Sequence, residues 1–96
     1  MGNNLPERVR RDISVFAKKH GVRQVILFGS RARGDHTPRS DIDLAVKGGD
    51  FDAFWWDVRE NAHTLLTFDM VDLGADVSEE LKKEIEKDGV TVYEEA

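Results

Sequence analysis

Cysteine is absent from the 96-residue chain, so disulfides and thiolate metal sites are excluded. No apolar run approaches the roughly 20 residues that a membrane-spanning helix requires. The first residues, MGNNLPERVRRD, lack the apolar segment of a secretory signal peptide. These absences predict a cytoplasmic protein that does not enter a membrane.

Basic residues are the minority, since 14 Lys and Arg stand against 19 Asp and Glu and give a formal net charge of −5. This balance argues against a general DNA- or RNA-binding module, which usually presents a basic face. The charge is uneven, because most arginines lie between Arg8 and Arg39 while residues 69–95 are strongly acidic. A local basic patch for a triphosphate is therefore compatible with the acidic total.

The length predicts one domain over residues 1–96, and 40% hydrophobic with 34% charged residues is typical of a folded globular chain. Hydrophobic periodicity and turn residues predict the elements. Helices are predicted over 5–20, 50–64 and 78–88, strands over 22–28, 41–47, 67–73 and 90–94, a turn with a short helix over 29–34, and a loop over 35–40. This order indicates an α/β fold with a small mixed sheet and flanking helices.

The most informative segment is LFGSRARGDHTPRSDIDLAV, residues 27–46. Asp41 and Asp43 are two residues apart on a predicted strand, so their side chains point to the same face. Two carboxylates held this close repel each other, and a cation such as Mg²⁺ between them removes the repulsion. The alternative is a pair of solvated acids at a strand start. The shared face favours the metal interpretation.

Gly29 and Ser30 close the preceding strand. Glycine lets the backbone approach a phosphate, and N–H groups at a helix start can bind its oxygens. The alternative is an ordinary turn in which Ser30 caps a helix. Arg31, Arg33 and Arg39 flank this turn and are either bidentate phosphate ligands or plain surface charges. A phosphate cradle beside metal-binding carboxylates indicates nucleotidyl or phosphoryl transfer.

The string GSRARG…RSDIDLAV resembles the DNA polymerase β-like nucleotidyltransferases, and in particular their minimal nucleotidyltransferase branch. The resemblance implies the polymerase β-like fold and transfer of AMP from ATP to a hydroxyl group with a pair of Mg²⁺ ions. It implies that Asp41 and Asp43 bind metal and that Gly29, Ser30 and Arg33 bind nucleotide. Members of that branch pair with HEPN-domain toxins, so the resemblance implies an antitoxin in a hetero-oligomer, with a toxin tyrosine as acceptor.

The resemblance also implies a third acid on a neighbouring strand, which completes the metal site or helps deprotonate the attacking hydroxyl. The candidates are Asp69 and Asp72. They have opposite parity, so one regular strand can point only one of them at the site. Asp69 is followed by two apolar residues, as in the family, and Asp72 matches that pattern in part. We therefore favour Asp69 and keep Asp72 as the alternative.

Two other functions stay open. The chain could be a catalytically idle antitoxin that neutralises its partner by binding alone, with the acidic C-terminal third on a basic RNase surface. It could also be a stand-alone transferase for a small molecule or tRNA ends, although the net charge disfavours nucleic acid. A purely steric antitoxin does not need Asp41, Asp43 and Asp69 together, so their presence favours the enzyme.

The two adjacent tryptophans and the three histidines have simpler expectations. Trp55 falls on the apolar stripe of the predicted helix and is expected in the core. Trp56 lies about 100° around the helix, and we expect it to be half-exposed, either as a partner anchor or packed on a loop. His20, His36 and His63 lack metal-ligand spacing and are expected at the surface rather than in a zinc site.

Overall fold

The computed structural model of the chain describes residues 5–95. Every predicted helix and strand is present, with ends within three residues of the expected ones. The predicted domain over 1–96 also includes residues 1–4 and 96, which lie outside the described residues. In chain order the elements are α1 (Glu7–Lys19), β1 (Gln24–Phe28), α2 (Ser30–Arg33), β2 (Ile42–Lys47), α3 (Phe51–Asn61), β3 (Phe68–Asp72), α4 (Glu79–Asp88) and β4 (Val90–Glu94).

The four strands form one mixed sheet in the order β3-β2-β1-β4. Strand β1 is antiparallel to both β2 and β4, whereas β2 and β3 are parallel. The parallel pair needs a crossover, which α3 supplies between the two strands. The predicted α/β class with a small mixed sheet is confirmed. Within residues 5–95, no helix is both long and apolar enough to cross a bilayer.

The main hydrophobic core lies between one face of the sheet and the layer formed by α1 and α3. Strand β2 contributes Ile42, Leu44 and Val46, which alternate along the strand and are fully buried. The intervening Asp43 and Ala45 therefore point to the second face. There Ala45, Phe28 and Ile85 of α4 form a smaller cluster. The two faces thus differ in character, since one is packed by two helices and the other by α4.

Trp55 does not belong to the main core, so that prediction is wrong. The buried positions of α3 are Phe54 and Val58, four residues apart, and Trp55 lies at the border of this stripe. Its ring packs edge-on against Trp56 and beneath the guanidinium of Arg59, whose central carbon is 4.5 Å from the ring centroid. Trp56 is 58% exposed, as expected.

Two histidines connect α1 to α3 and the turn after it. The Nε2 atom of His20 pairs with a carboxylate oxygen of Asp57, and the His20 side chain is only 17% exposed. His63 donates its backbone N–H to Asp12 and places Nδ1 at 2.8 Å from the same oxygen. The surface prediction therefore fails for His20, which is mostly covered and paired with Asp57, and is met by His63, whose side chain is 51% exposed.

The Asp12 carboxylate makes the stability of the fold depend on pH. Burial alone would raise its pKa, but the backbone and ring contacts of His63 hold the pKa below its ordinary value. A carboxylate with a depressed folded pKa stabilises the fold above its unfolded pKa of about 4, and the stabilisation is lost as the pH falls through the folded value. We expect Asp12→Asn to unfold at a lower temperature than wild type at neutral pH, with the difference shrinking in acid. The melting temperatures of both proteins, measured from neutral to acidic pH, test this expectation. A difference that stays constant with pH would contradict the stabilising role of the Asp12 carboxylate.

Gly49 fixes how the turn after β2 packs against the turn after α1. Its φ is +74°, and a Cβ there would lie 2.5 Å from the backbone nitrogen of Val22. Gly34 has a similar φ of +86° with nothing within 4 Å of a Cβ, so it is a matched control.

We expect Gly34→Ala to cost about 1 kcal/mol for its left-handed backbone. Gly49→Ala should cost about 3 kcal/mol, because backbone must move as well. Urea unfolding measures both free energies, and equal losses would show that the packing of Gly49 has no effect.

Candidate active site

The end of β1 brings bare backbone against a carboxylate. Gly29 follows Phe28 with a φ of +76°, a conformation that favours glycine. A Cβ at this position would collide with the carboxylate of Asp43. Gly29 is therefore required both for its backbone conformation and for its missing side chain. Its position puts main-chain atoms next to the acid that the sequence assigns to metal binding.

Helix α2 begins directly after Gly29 and is a single turn. The N–H groups of Ala32 and Arg33 both donate to the Gly29 carbonyl, at 3.1 Å. The N-cap is Gly29, so the alternative in which Ser30 caps the helix is wrong, and Ser30 is instead the first helical residue. N–H groups at the start of a helix have no acceptor inside it. Gly29 and Ser30 thus form the start of a helix, the part of a helix whose backbone N–H groups can bind phosphate oxygens.

The strand register brings two of the predicted acids together. Asp43 on β2 is the direct partner of Asp69 on β3. Partners on parallel strands point to the same face with their Cα atoms about 4.8 Å apart. Asp41 precedes Asp43 by two residues and repels it electrostatically. Asp43 and Asp69 therefore share the second face of the sheet, and Asp43 lies beside Gly29.

Asp72 lies on the opposite side of the sheet. Its partner on β2 is Val46, which points into the main core. Its own carboxylate accepts a hydrogen bond from the backbone N–H of Gly74 at 2.9 Å. Of the two candidates for the third acid, the structure brings Asp69 to the site and leaves Asp72 out.

Charge repulsion is concentrated on Asp43. Burial, followed by repulsion from Asp69, Asp41 and Glu84, raises the pKa of Asp43 to about 6. Glu84 comes from α4 and was not singled out from the sequence. Nothing in the acidic stretch around it distinguishes the one residue that α4 turns toward the site. The site therefore contains more negative charge than the motif alone indicates.

Arg33 supplies positive charge at the edge of this acidic cluster. Its Nε donates to the Asp35 carboxylate at 3.2 Å, and its Nη1 lies 3.8 Å from Glu84. The Asp35 contact raises the pKa of Arg33, so its guanidinium stays charged. Arg39 is exposed on the loop before Asp41. Arg31 differs from both, because its side chain is buried and donates to the backbone carbonyls of Pro38 and Ser40.

The carboxylate oxygens of the site are ligands of the kind that Mg²⁺ prefers. Within residues 5–95, no three acidic, histidine or cysteine side chains are gathered closely enough to enclose an ion by themselves. Mg²⁺ does not require such a cage, since it usually keeps several waters and binds one or two carboxylates together with substrate phosphate. Asp41, Asp43 and Asp69 offer oxygen ligands of this kind. Burial and then repulsion from the neighbouring acids raise the pKa of Asp43, and a bound cation would relieve that repulsion.

Relatives of the chain carry names from nucleotide chemistry. Over 94 residues it is 28% identical to a protein of Methanocaldococcus jannaschii named as a candidate protein adenylyltransferase, covering 94% of this chain and 96% of that one. Another protein of that organism with the same kind of name is 56% identical over 32 residues, which is 32% of each chain. The chain thus matches about a third of the length of that second relative.

Solved structures agree with the architecture. A crystal structure of a toxin–antitoxin with AMP-PNP is similar with a TM-score of 0.71 and 26% identity, over 90% of this chain and 73% of that one. A tyrosine-to-alanine mutant of the toxin–antitoxin MntA-HpeT has a TM-score of 0.69 and 28% identity, over 95% and 74% of the two chains. The family model for polymerase beta, nucleotidyltransferase, matches residues 12–96. The chain therefore belongs to the polymerase β nucleotidyltransferase family.

Proposed function

We propose that the chain transfers AMP from ATP to a hydroxyl group of a partner protein and releases pyrophosphate. The observation that carries the proposal is the pairing of Asp43 with Asp69, with Asp41 beside them and the bare backbone of Gly29 in contact with Asp43. The acceptor oxygen forms a bond to the α-phosphorus of ATP. The bond from that phosphorus to the bridging oxygen breaks, and pyrophosphate carries away the electron pair.

Each residue has a separate task in this reaction. The backbone at Gly29 and the Ser30 hydroxyl hold phosphate oxygens, and Arg33 faces the negative charge that develops on the phosphates. Asp69 completes the metal-binding set or accepts the proton of the acceptor hydroxyl. Mg²⁺ bound by Asp41, Asp43 and Asp69 would neutralise phosphate charge and make the hydroxyl more acidic. Arg33 must exchange its contacts with Asp35 and Glu84 for phosphate oxygens.

The acceptor in this proposal is a tyrosine of a HEPN-type toxin, and the chain is its antitoxin in a hetero-oligomer. Two of the similar structures support a toxin partner. Both are toxin–antitoxin structures, one of them with AMP-PNP and the other with a tyrosine-to-alanine change.

The first prediction concerns transfer itself. We expect the double variant Asp41→Asn, Asp43→Asn to lose AMP transfer and keep its fold, because the metal-binding charges go while the side-chain shapes stay. The assay incubates protein, Mg²⁺ and host lysate with ATP labelled on the α- or the γ-phosphate. Wild type should leave label on a protein band from α-labelled ATP only.

Asp72→Asn is the matched control, since it removes an acid from the same sheet on the opposite face. It should transfer label like wild type. Full transfer by the double variant would exclude this mechanism. If wild type transfers no label but still neutralises a co-purified partner, and the double variant neutralises it equally well, the chain acts by binding alone.

The second prediction concerns Mg²⁺ and stability. The raised pKa of Asp43 means that its ionised carboxylate destabilises the fold. The destabilisation is absent below about pH 4, and it is complete once the pH exceeds the folded pKa of about 6. We expect Asp43→Asn to stabilise the chelator-treated protein at neutral pH. The full shift corresponds to about 3 kcal/mol, which partial exposure reduces to about 1 kcal/mol.

Added Mg²⁺ should then raise the melting temperature of wild type and of Asp72→Asn, and leave that of Asp43→Asn nearly unchanged. Thermal unfolding with and without chelator measures both effects. Equal Mg²⁺ shifts in all three proteins would show that the ion binds elsewhere.

A further inference from the structure

Arg31 is the only charged side chain that is buried within residues 5–95, with 4% of its surface exposed. It lies on α2, between Ser30 and Arg33, which the proposed function assigns to nucleotide binding. A charged group is rarely buried unless its donors are satisfied. Its location and its burial together indicate that Arg31 has a defined role at this site.

The guanidinium of Arg31 connects α2 to the loop that leads into β2. Its Nε donates to the carbonyl of Ser40 at 3.1 Å, and its Nη2 donates to the carbonyl of Pro38 at 3.3 Å. The planar fork of arginine can reach two acceptors at fixed spacing, which a lysine ammonium cannot reproduce. Arg31 thus joins the Gly29–Ser30 turn and α2 to the loop that precedes Asp41 by hydrogen bonds.

The loop before β2 also has hydrogen bonds within itself, which join Thr37 to Ser40. The backbone N–H of Thr37 donates to the Ser40 hydroxyl, and the N–H of Ser40 donates back to the Thr37 carbonyl. Such bonds keep the shape of the turn without fixing where it lies relative to the sheet. The bonds from Arg31 hold the turn against α2.

The Ser40 carbonyl belongs to the peptide bond that joins Ser40 to Asp41. Holding that oxygen fixes the plane on which the Asp41 Cα lies. On the other side of Asp41, the N–H of Ile42 donates to the Thr67 carbonyl at 2.9 Å and begins the β2–β3 ladder. Asp41 is exposed and outside the strand, yet its backbone is held from both directions.

We propose that Arg31 is a positioning residue, which sets the place of the Asp41 carboxylate beside Asp43, and not a phosphate ligand. The proposal rests on the proposed function for its effect on catalysis. With 4% of its surface exposed and its Nε and Nη2 donating to backbone carbonyls, the Arg31 guanidinium is covered by the loop and presents almost no surface to a phosphate. Partners that orient a metal-binding residue typically change metal affinity or activity by about 10- to 100-fold when they are removed.

The test compares Arg31→Lys with Arg31→Met and with the control Arg11→Lys, which makes the same change on the exposed side of α1. Three measurements are made on the full chain: Mn²⁺ binding without nucleotide by electron paramagnetic resonance, hydrogen exchange of residues 35–42, and kcat with KM for ATP. Arg31→Lys keeps the charge, so it remains informative where Arg31→Met fails to fold.

We expect Arg31→Lys to weaken Mn²⁺ binding by about tenfold or more, to speed exchange within 35–42, and to lower kcat with KM for ATP near wild type. Arg31→Met should show larger changes, and Arg11→Lys none. Wild-type Mn²⁺ affinity and loop exchange in Arg31→Lys, with a raised KM for ATP, would make Arg31 a phosphate ligand and overturn the proposal. Absence of AMP transfer by wild type would remove the proposed function, while Mn²⁺ binding and exchange would still decide the role of Arg31.

Discussion

The parallel pairing of β2 with β3 is the constraint on which the site depends. Its register sets Asp43 opposite Asp69, and a slip of one residue would turn Asp69 to the other face. The register is enforced from the opposite side of the same strands. There Leu44 is fully buried and its partner Met70 packs against the main core. Hydrophobic packing on one face therefore determines which carboxylates meet on the other.

The ionised Asp43 carboxylate opposes folding, and the rest of the domain must offset this effect. The pKa of Asp43 is raised because the carboxylate is partly buried among other acids. The fully buried side chains of α1, α3 and β2 lie away from this repulsion and supply apolar burial that compensates for it. Arg33 offsets part of the charge locally through Asp35 and Glu84. A carboxylate whose ionised form opposes folding is typical of a site kept for chemistry.

Local patterns in the sequence predicted the elements, because alternation and turn residues report directly on neighbours along the chain. The same alternation placed Asp41 and Asp43 on one face. Parity shows that only one of Asp69 and Asp72 can face the site, and the family pattern favoured Asp69. The pairing register of β2 with β3 was needed to place Asp69 opposite Asp43. Trp55 was misplaced because its position at the border of the apolar stripe cannot be distinguished from the stripe itself by spacing alone.

Arg31 and Glu84 could not be assigned from the sequence, for a different reason. Both act through contacts between segments that are distant along the chain or separated by a loop. An arginine in a basic turn is usually a surface charge, and only the path of the loop shows that Arg31 is covered. Glu84 is one of several acids on α4, and only the packing of that helix against β1 and β2 turns it toward Asp43.

The division of the sheet into two unlike faces also bears on how such a domain can diversify. Along β2, neighbouring residues serve different purposes, since Leu44 packs the helices while Asp43 and Ala45 face the side of the reaction. Exposed positions of the second face, such as Asp69, take no part in the packing beneath α1 and α3. The chemistry of that face can therefore change through single substitutions while the main core stays the same.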